Sequence, residues 1–443
     1  MKMRFGMIRA FARGAGLTAL SLLCAPSFAA EGLLDIYREA QLNDAVIAAA
    51  RAELEAGQEA AVQGRSLLMP TVGISGSSSR NDMVAPAISR NGFNYNSDSY
   101  TLTVNQPIYR KYNYASWVQS GFRVKASEAL YASAEQDLIL RVSTAYFDLL
   151  RAQDDVLLLE SQKAAIVEQL NQAKHLFEAR VGTLTDLHEA QAQYDMVLAK
   201  EIEARNAREL RLRALQRIIG RRTQSIRSLD ELPLLMPVPN DVDKWIEVSE
   251  RQNPQVELQR FTLEYVNQEI EKSRAGHYPT LDLVLSATHA HNPSYFLSGK
   301  QDTQLYALQF NMPLFQGGYV NSKVKEVTAS KEKAAKDLED TLRASALQTS
   351  ESFFLVTSGI AKVRALEQAV KSNESALHST IKGREVGLRT SVDVLNSQQQ
   401  LFASKRDLLQ ARYDYIVNRL KLRASVGGLG EEDVASVDQW LKK

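Results

Sequence analysis

The six histidines of this 443-residue chain are the side chains best suited to metal chemistry, and their spacing predicts no metal site. His188-Glu189 resembles the start of a zinc-binding helix, but Ala192 stands where the second histidine is needed. His289 and His291 lie two residues apart and point to the same side of a predicted strand. Two ligands are too few for a closed metal site, so we expect this pair to be solvated at the strand end.

Other motifs that carry chemistry are missing from the sequence. Gly427-Gly428-Leu429-Gly430 follows the last predicted helix and indicates a helix stop rather than a phosphate-binding loop. The sequence contains no P-loop and no G-x-S-x-G nucleophile motif. A site assembled from scattered Ser, His and Asp residues stays open. The motifs predict no catalytic residue, no cofactor and no metal, so the chain is not expected to be an enzyme.

The composition predicts a folded, exported protein that does not bind nucleic acid. Hydrophobic residues make up 44% of the chain, and the net charge is +1 with no basic block. Residues 1–30 predict a signal peptide, because positive charges precede an apolar stretch, Leu17–Ala25, and Ser27-Phe28-Ala29 matches a cleavage site. An uncleaved amphipathic N-terminus is the alternative. Cys24 follows a leucine, which disfavours lipid attachment, and no later stretch predicts a transmembrane helix.

Three sequence echoes in the same order indicate an internal duplication. They lie about 205 to 209 residues apart and pair Leu68-Met69-Pro70-Thr71-Val72 with His277-Tyr278-Pro279-Thr280-Leu281, Asn105-Gln106-Pro107-Ile108-Tyr109 with Asn311-Met312-Pro313-Leu314-Phe315, and Val181-Gly182 with Val386-Gly387. The third echo continues into matching Asp186 and Asp393. The predicted organisation is a signal peptide (1–30), a first repeat (31–220), a linker (221–241), a second repeat (242–426) and a C-terminal tail (427–443).

Helices dominate each predicted repeat. From Leu138 to Phe177 and from Leu342 to Ile381, apolar or small residues recur at alternating steps of four and three. This period of about 3.5 residues is typical of a coiled coil, with ordinary bundle packing as the alternative. Three charged residues interrupt the two seams: Lys163, Glu367 and Glu374.

The predicted helix lengths indicate a rod with hairpin turns at one end. Helices over about 112–180 and 319–385 would each extend roughly 100 Å. Shorter helices are predicted to stack beside them, over about 33–66, 186–220, 241–275 and 393–426. Gly182 and Gly387 mark the hairpin turns.

Four strand candidates lie between the helices. They cover about 71–80, 100–108, 280–288 and 303–315, with polar connections over 81–98 and 289–301. Their alternation of apolar and polar residues fits either membrane strands or a soluble half-buried sheet. A membrane sheet has no open edges, and four strands cannot close. The membrane alternative therefore requires three protomers to share one barrel of about twelve strands.

The duplication, the proline-flanked strands and two longer motifs resemble the TolC family of outer-membrane channel proteins. The motifs are Val386-Gly387-Leu388-Arg389-Thr390 with Val392-Asp393-Val394-Leu395, and Arg412-Tyr413-Asp414-Tyr415 with Asn418-Arg419-Leu420-Lys421. The resemblance covers residues 32–430. It implies an α+β membrane protein, a homotrimer in which four strands per protomer form a twelve-stranded barrel in outer-membrane lipid. A long periplasmic helical coiled-coil barrel continues the duct, and the linker and tail form a band around its waist.

The resemblance also implies a gate at the periplasmic entrance. In the family a ring of aspartates and salt bridges between neighbouring helix pairs close this end. Asp393 matches the first family aspartate, but the second is Asn396 here, so the ring would carry three charges rather than six. Arg389 matches the family arginine and Asp186 its acidic partner. Arg384 replaces a family tyrosine and adds a cation beside Asp186, although the first turn is expected to be two residues shorter than the second. A solvated hairpin end is the alternative.

The function implied is a passive exit duct. It would take drugs, small molecules or unfolded proteins from an inner-membrane transporter (ABC or RND type) through a periplasmic adaptor. The alternative from another class is a soluble periplasmic coiled-coil scaffold. The sequence does not distinguish drug efflux from type I secretion. Analogy with the family slightly favours secretion.

Overall fold

The computed structural model describes residues 30–85, 89–223, 225–294 and 296–442, so the predicted signal peptide up to residue 29, with Cys24, lies outside the described residues. Helices and strands alternate along this part of the chain in two similar series. Their order is α1 Leu33–Asn43, α2 Ala45–Ser66, β1 Thr71–Ala85, β2 Ser89–Arg110, α3 Lys111–Glu178, α4 Leu184–Ile219, α5 Val242–Gln252, α6 Pro254–Arg274, β3 Thr280–His291, β4 Lys300–Asn311, α7 Tyr319–Glu385, α8 Ser391–Ser425 and α9 Glu431–Asp438.

One long helix forms the axis of each repeat. It is α3, with 68 residues, in the first repeat and α7, with 67 residues, in the second. At 1.5 Å per residue each is about 100 Å long. Helices α2 and α4 pack along α3, α5 and α8 pack along α7, and α6 packs against both long helices. The prediction of long helices flanked by shorter ones is confirmed, and the bounds of both long helices agree within two residues. Within the described residues, no helix combines the length and the apolar character needed to cross a membrane.

The single helices predicted over 33–66 and 241–275 are each broken into two. Asp44 ends the first piece, because its buried carboxylate accepts hydrogen bonds from two backbone amides of α2. Arg141 on α3 holds the same carboxylate through two 3.0 Å contacts. In the second repeat Asn253 caps α6 through the amide of Gln255, and Pro254 occupies the first helical turn. The caps therefore override a hydrophobic pattern that continues across both breaks.

The three charges that interrupt the coiled-coil seams each pair with the neighbouring helix. The pairs and their N···O distances are Lys163–Glu201 at 2.5 Å, Glu367–Arg412 at 2.9 Å and Glu374–Lys405 at 2.9 Å. The Glu201 side chain is buried, while the other partners are partly exposed. Each interruption of the apolar pattern is thus a charged contact between α3 and α4 or between α7 and α8.

The strands form one antiparallel sheet in the order β1-β2-β3-β4. The register aligns Val72, Val104, Leu285 and Tyr306 across the sheet. In this sheet β1 and β4 each have a neighbour on one side only. One face carries these apolar side chains, whereas the other is rich in hydroxyl groups.

β1 and β2 extend further into the segment between them than the sequence predicts, whereas β4 ends earlier than predicted. β1 continues to Ala85 and β2 begins at Ser89, so most of the segment 81–98, predicted as a polar connection, is strand. Ladder hydrogen bonds join backbone groups, so polar side chains do not stop the pairing. β4 ends at Asn311 rather than residue 315, shortly before Pro313, which has no amide hydrogen to donate.

A hydrophobic core lies around Tyr146 on α3 and Tyr415 on α8, both fully buried. The Tyr146 hydroxyl donates to the carbonyl of Arg227 at 2.8 Å, and the Tyr415 hydroxyl accepts from the amide of Leu235 at 2.8 Å. Both tyrosines therefore anchor the linker to the long helices. The linker also pairs with the C-terminal tail, which contains α9, through an antiparallel bridge to Leu441.

Candidate entrance gate at the helical hairpins

Each repeat ends in a helical hairpin, and the two hairpins place an aspartate at the same point. Thr183 begins α4, where its hydroxyl accepts from the Asp186 amide at 3.1 Å and donates to the Asp186 carboxylate at 2.7 Å. Thr390 begins α8, where its hydroxyl accepts from the Asp393 amide at 3.2 Å and its own amide donates to the Asp393 carboxylate at 2.9 Å. Both aspartates lie in the first turn of a helix, where the helix dipole favours a negative charge.

The two turns have the same length, so the prediction of a shorter first turn is wrong. Arg180 and Gly387 are the left-handed residues, with φ of 58° and 77°, and each precedes the capping threonine by three residues. The next two amides donate to the carbonyl of Leu176 in the first turn and of Gly383 in the second. The Val-Gly echo in the sequence is therefore not a structural equivalence, because Arg180, not Gly182, occupies the position of Gly387.

Gly182 is nevertheless required in the first turn for space. A Cβ atom on Gly182 would lie 2.9 Å from the Cβ atom of Leu176. In the second hairpin the glycine lies in the helix and its neighbour in the turn, since a Cβ atom on Gly383 would lie 2.9 Å from Cγ of Arg389. Each hairpin thus has one glycine where the turn folds back onto the end of the preceding helix.

The predicted gate residues all lie at this end of the molecule but do not all meet within one protomer. Arg389 is exposed and stacks its stem over Gly383, and Asn396 is exposed one turn beyond Asp393. Arg384 extends towards α3, where its Nη1 lies 3.4 Å from the amide oxygen of Gln172. The ion pairs found between described residues do not include Asp186 with Arg384 or Arg389.

Asp393 is held in its charged form. Hydrogen bonds from the backbone and the hydroxyl of Thr390 lower the pKa of Asp393, and the Arg389 guanidinium adds to the effect. The lowered pKa favours the carboxylate form of Asp393.

Three polar contacts that the sequence does not predict join the two hairpins along their length. The Tyr413 hydroxyl contacts Asp154 at 2.5 Å, and the Gln169 and Gln398 amides meet at 2.8 Å. The third is the Arg384–Gln172 contact at the hairpin end. Their partners are about 210 to 260 residues apart in sequence, so no local pattern could pair them. Tyr413 was noted only as part of a family motif.

Burial affects both members of the Tyr413–Asp154 contact. Desolvation raises the pKa of Asp154, although the hydrogen bond from Tyr413 opposes the shift. Desolvation, together with the neighbouring carboxylate, raises the pKa of the Tyr413 hydroxyl. A neutral tyrosine therefore donates to a carboxylate that is partly withdrawn from water.

The histidines give no metal site in the part of the chain that the structure describes. His289 Nδ1 lies 2.5 Å from the Asp302 carboxylate on β4, and His291 contacts Asn292. No group of three or more ligating side chains suited to a metal ion occurs among the described residues.

Comparison with known proteins gives the family. The model for outer membrane efflux proteins matches residues 36–221 and 245–428, one segment in each predicted repeat. The chain belongs to the outer membrane efflux protein family, the family of TolC. It is 32% identical over 442 residues to the proteases secretion protein PrtF of Dickeya chrysanthemi, covering 96% of this chain and 94% of PrtF. It is 31% identical over 429 residues to TolC of Escherichia coli, covering 94% of this chain and 86% of TolC.

Further relatives and solved structures agree with this assignment. The alkaline protease secretion protein AprF of Pseudomonas aeruginosa is 31% identical over 428 residues, with 95% of this chain and 89% of AprF covered. The CmeC outer membrane channel of Campylobacter jejuni superimposes with a TM-score of 0.79 at 18% identity, covering 94% of this chain and 91% of CmeC. VceC of Vibrio cholerae gives a TM-score of 0.78 at 19% identity, covering 89% of this chain and 96% of VceC. The TolC-family fold is thus shared at low sequence identity.

The predictions of a TolC-family fold, an outer-membrane location and the role of an exit duct are confirmed by family membership. The family is one of channel proteins. The relatives are named as outer-membrane or secretion proteins, so the soluble scaffold alternative gains no support.

Proposed function

We propose that the protein is one third of a homotrimeric outer-membrane duct for type I secretion, and that it has no enzymatic role. The observation that carries this proposal is a four-stranded sheet with two unpaired edges, joined to helical hairpins about 100 Å long, in a TolC-family chain. Edge strands β1 and β4 of neighbouring protomers would pair to close twelve strands in outer-membrane lipid. The helices would continue the duct through the periplasm, and the linker and tail would form its band.

The apolar face of the sheet supports its placement against lipid. Ile74 is 78% exposed, Tyr306 74% and Phe310 65%, and all three share that face. Soluble proteins rarely leave so continuous an apolar surface in water. The opposite, hydroxyl-rich face would then line the passage.

The hairpin ends would form the gate of the periplasmic entrance. We infer that Asp186 of one hairpin pairs with Arg389 and Arg384 of a neighbouring protomer, since these groups do not pair within the protomer. Asp393 would supply a ring of three carboxylates, to which the neutral Asn396 adds no charge. Exposed pairs stabilise by about 0–1 kcal/mol each, so closure would depend on three-fold repetition.

The cargo and partners are inferred from the relatives. Two relatives named for the secretion of proteases are 32% and 31% identical, whereas two relatives named as efflux pump proteins are 21% identical. This difference favours unfolded secreted proteins as cargo. Drug efflux is the second candidate, because the family model that matches both repeats is that of outer membrane efflux proteins. The partners would be a periplasmic adaptor and an inner-membrane transporter, of the ABC type for secretion or the RND type for efflux.

The test is a mass-spectrometric comparison of culture-medium proteins from a deletion strain and its complemented parent. We expect the deletion to remove one or a few proteins selectively from the medium. An unchanged set of secreted proteins with increased sensitivity to drugs and bile salts would favour efflux instead. Complementation by a chain without the signal peptide, residues 31–443, is the matched control, because it cannot reach the membrane.

A further inference from the structure

The hydroxyl-rich face of the sheet carries almost no charge. On β1, every residue of this face from Thr71 to Asn81 is Thr, Gly, Ser or Asn. On β2, Ser99 and Thr101 continue the face, and their hydroxyls contact Ser77 at 2.9 Å and Thr288 at 3.0 Å. Contacts between side chains on neighbouring strands place these groups on one surface.

Five charged residues in the described parts of the strands lie on the opposite, apolar face. They share the alternation of Ile74 and Leu102, and they are Arg80, Asp82, Asp98, Lys300 and Asp302. Of the strand residues whose side chains the structure describes (71–82, 94–110, 280–291 and 300–311), only Asp282 and Arg110 bring a charge to the hydroxyl-rich face. The charge distribution is therefore one-sided.

Arg110 neutralises Asp282 at the end of the sheet that joins the helices. Nε of Arg110 donates to Oδ1 of Asp282 at 2.7 Å, and Nη2 donates to Oδ2 at 2.6 Å. The Asp282 side chain is 9% exposed and that of Arg110 38%. Two parallel hydrogen bonds make this a forked arginine–carboxylate pair, in which both charges are matched. The net charge of the described part of this face is zero.

We propose that this face lines an uncharged passage, in which the Arg110–Asp282 pair prevents the sheet end of the duct from selecting cargo by charge. The passage then admits polypeptide segments of either charge, because hydroxyl and amide groups hydrogen bond to any polar chain and no fixed charge repels or holds it. Selection by charge is left to the helical entrance. This inference rests on the proposed duct.

The test measures the reversal potential of single trimers of the full-length mature protein in planar bilayers under a KCl gradient. Asp282→Asn leaves three unpaired guanidinium groups and is expected to change the K⁺/Cl⁻ permeability ratio about two- to five-fold towards Cl⁻. Arg110→Gln is expected to change it towards K⁺ by a similar factor. The double variant Arg110→Gln/Asp282→Asn should return to the wild-type ratio.

Two further variants keep the test informative even if substitutions at Arg110 or Asp282 prevent the protein from folding. Ser75→Asp, on the same face but distant from the pair, should change the ratio towards K⁺. Asp302→Asn, on the apolar face, should leave it unchanged and is the matched control.

The possible outcomes separate this inference from the proposed function. Wild-type trimers that conduct no ions would overturn the duct and the inference with it. Trimers that conduct normally but show no change in selectivity with Ser75→Asp and Asp282→Asn would overturn only the inference. A change with Asp302→Asn as large as that with Ser75→Asp would assign the passage to the other face.

Discussion

The hydroxyl of Tyr413 on α8 donates a 2.5 Å hydrogen bond to Oδ2 of Asp154 on α3. This contact joins the last helical hairpin to the first at a buried point, well away from the exposed hairpin ends. Tyr413 is 4% exposed, and its ring also packs 6.0 Å from that of Phe147. Any outward movement of the α7–α8 hairpin relative to α3 has to begin beyond this contact or break it.

Tyr413→Phe is expected to destabilise the folded protein by about 1–2 kcal/mol, because Asp154 loses the donor that compensates its burial. The ring contact with Phe147 is kept, so the change isolates the hydrogen bond. Thermal unfolding of the purified protein, followed by circular dichroism, measures the effect. Tyr194→Phe on α4 is the control, since no hydrogen bond of the Tyr194 hydroxyl is found in the described part of the chain. Equal stability of the two variants would show that the Tyr413–Asp154 contact contributes nothing.

The stability of the wild-type protein should fall as pH rises through the pKa of Asp154. Burial raises this pKa above the ordinary value of 3.8, so the folded protein binds a proton that the unfolded chain has already released. The contribution is largest below pH 3.8 and is lost above the raised pKa. Asp154→Asn should remove this part of the pH dependence, and Tyr413→Phe should move it to higher pH. Unfolding midpoints over a pH series give the difference between variant and wild type. Identical pH profiles for wild type and Asp154→Asn would contradict the assignment.

The sequence was sufficient to predict features that repeat or alternate regularly. The period of about 3.5 residues located α3 and α7 within two residues of their observed bounds, because coiled-coil packing requires it over the whole length. The strand alternation located all four strands. The breaks at Asp44 and Asn253 were missed although both residues are good helix caps, because the apolar pattern continues on either side.

The candidate site was less predictable than the fold. Its charges were located from family motifs, but the two turns were aligned on a Val-Gly echo that is not structural. The backbone dihedral angles and the hydrogen bonds of the next two amides identify Arg180 as the counterpart of Gly387. The Tyr413–Asp154 contact had no local signal, since it depends on how two distant helices pack.

Arg180→Gly is expected to stabilise the first hairpin by about 0.5–1 kcal/mol. A side chain in the left-handed conformation is strained by contact of its Cβ atom with the backbone, and glycine has no Cβ atom. Gly387→Ala should destabilise the second hairpin by a similar amount for the same reason. Protease susceptibility of the hairpin ends and the unfolding midpoint measure both effects. Lys174→Gly in the last turns of α3 is the control and should destabilise by about 1 kcal/mol. If Arg180→Gly destabilised as Lys174→Gly does, strain at Arg180 would be refuted.

Arg389→Ser combined with Asp186→Ala is expected to open the periplasmic entrance. Loss of six exposed pairs in a trimer, two for each Asp186, shifts the balance of closed and open states by about five- to tenfold. Single-channel conductance should rise, and cells should become more sensitive to vancomycin. Asp195→Ala is the control, because Asp195 lies on the same helix and, among the described residues, its carboxylate accepts a hydrogen bond from Gln191 of the same helix and forms no ion pair. Unchanged conductance and vancomycin sensitivity would reject the gate formed by these residues.

Asn396→Asp is expected to make the entrance a stronger cation site. Asn396 is exposed one helical turn beyond Asp393, so three new carboxylates would join the three that the lowered pKa of Asp393 keeps charged. Two rings of like charge at one constriction attract multivalent cations more strongly than one ring does. Block of the single-channel current by a trivalent cation should therefore occur at about tenfold lower concentration than in the wild type. Asn396→Ser adds no charge and should leave the blocking concentration unchanged. Asp393→Asn should weaken block relative to the wild type. If Asn396→Asp gave no gain in affinity for the trivalent cation, residue 396 would not face the passage.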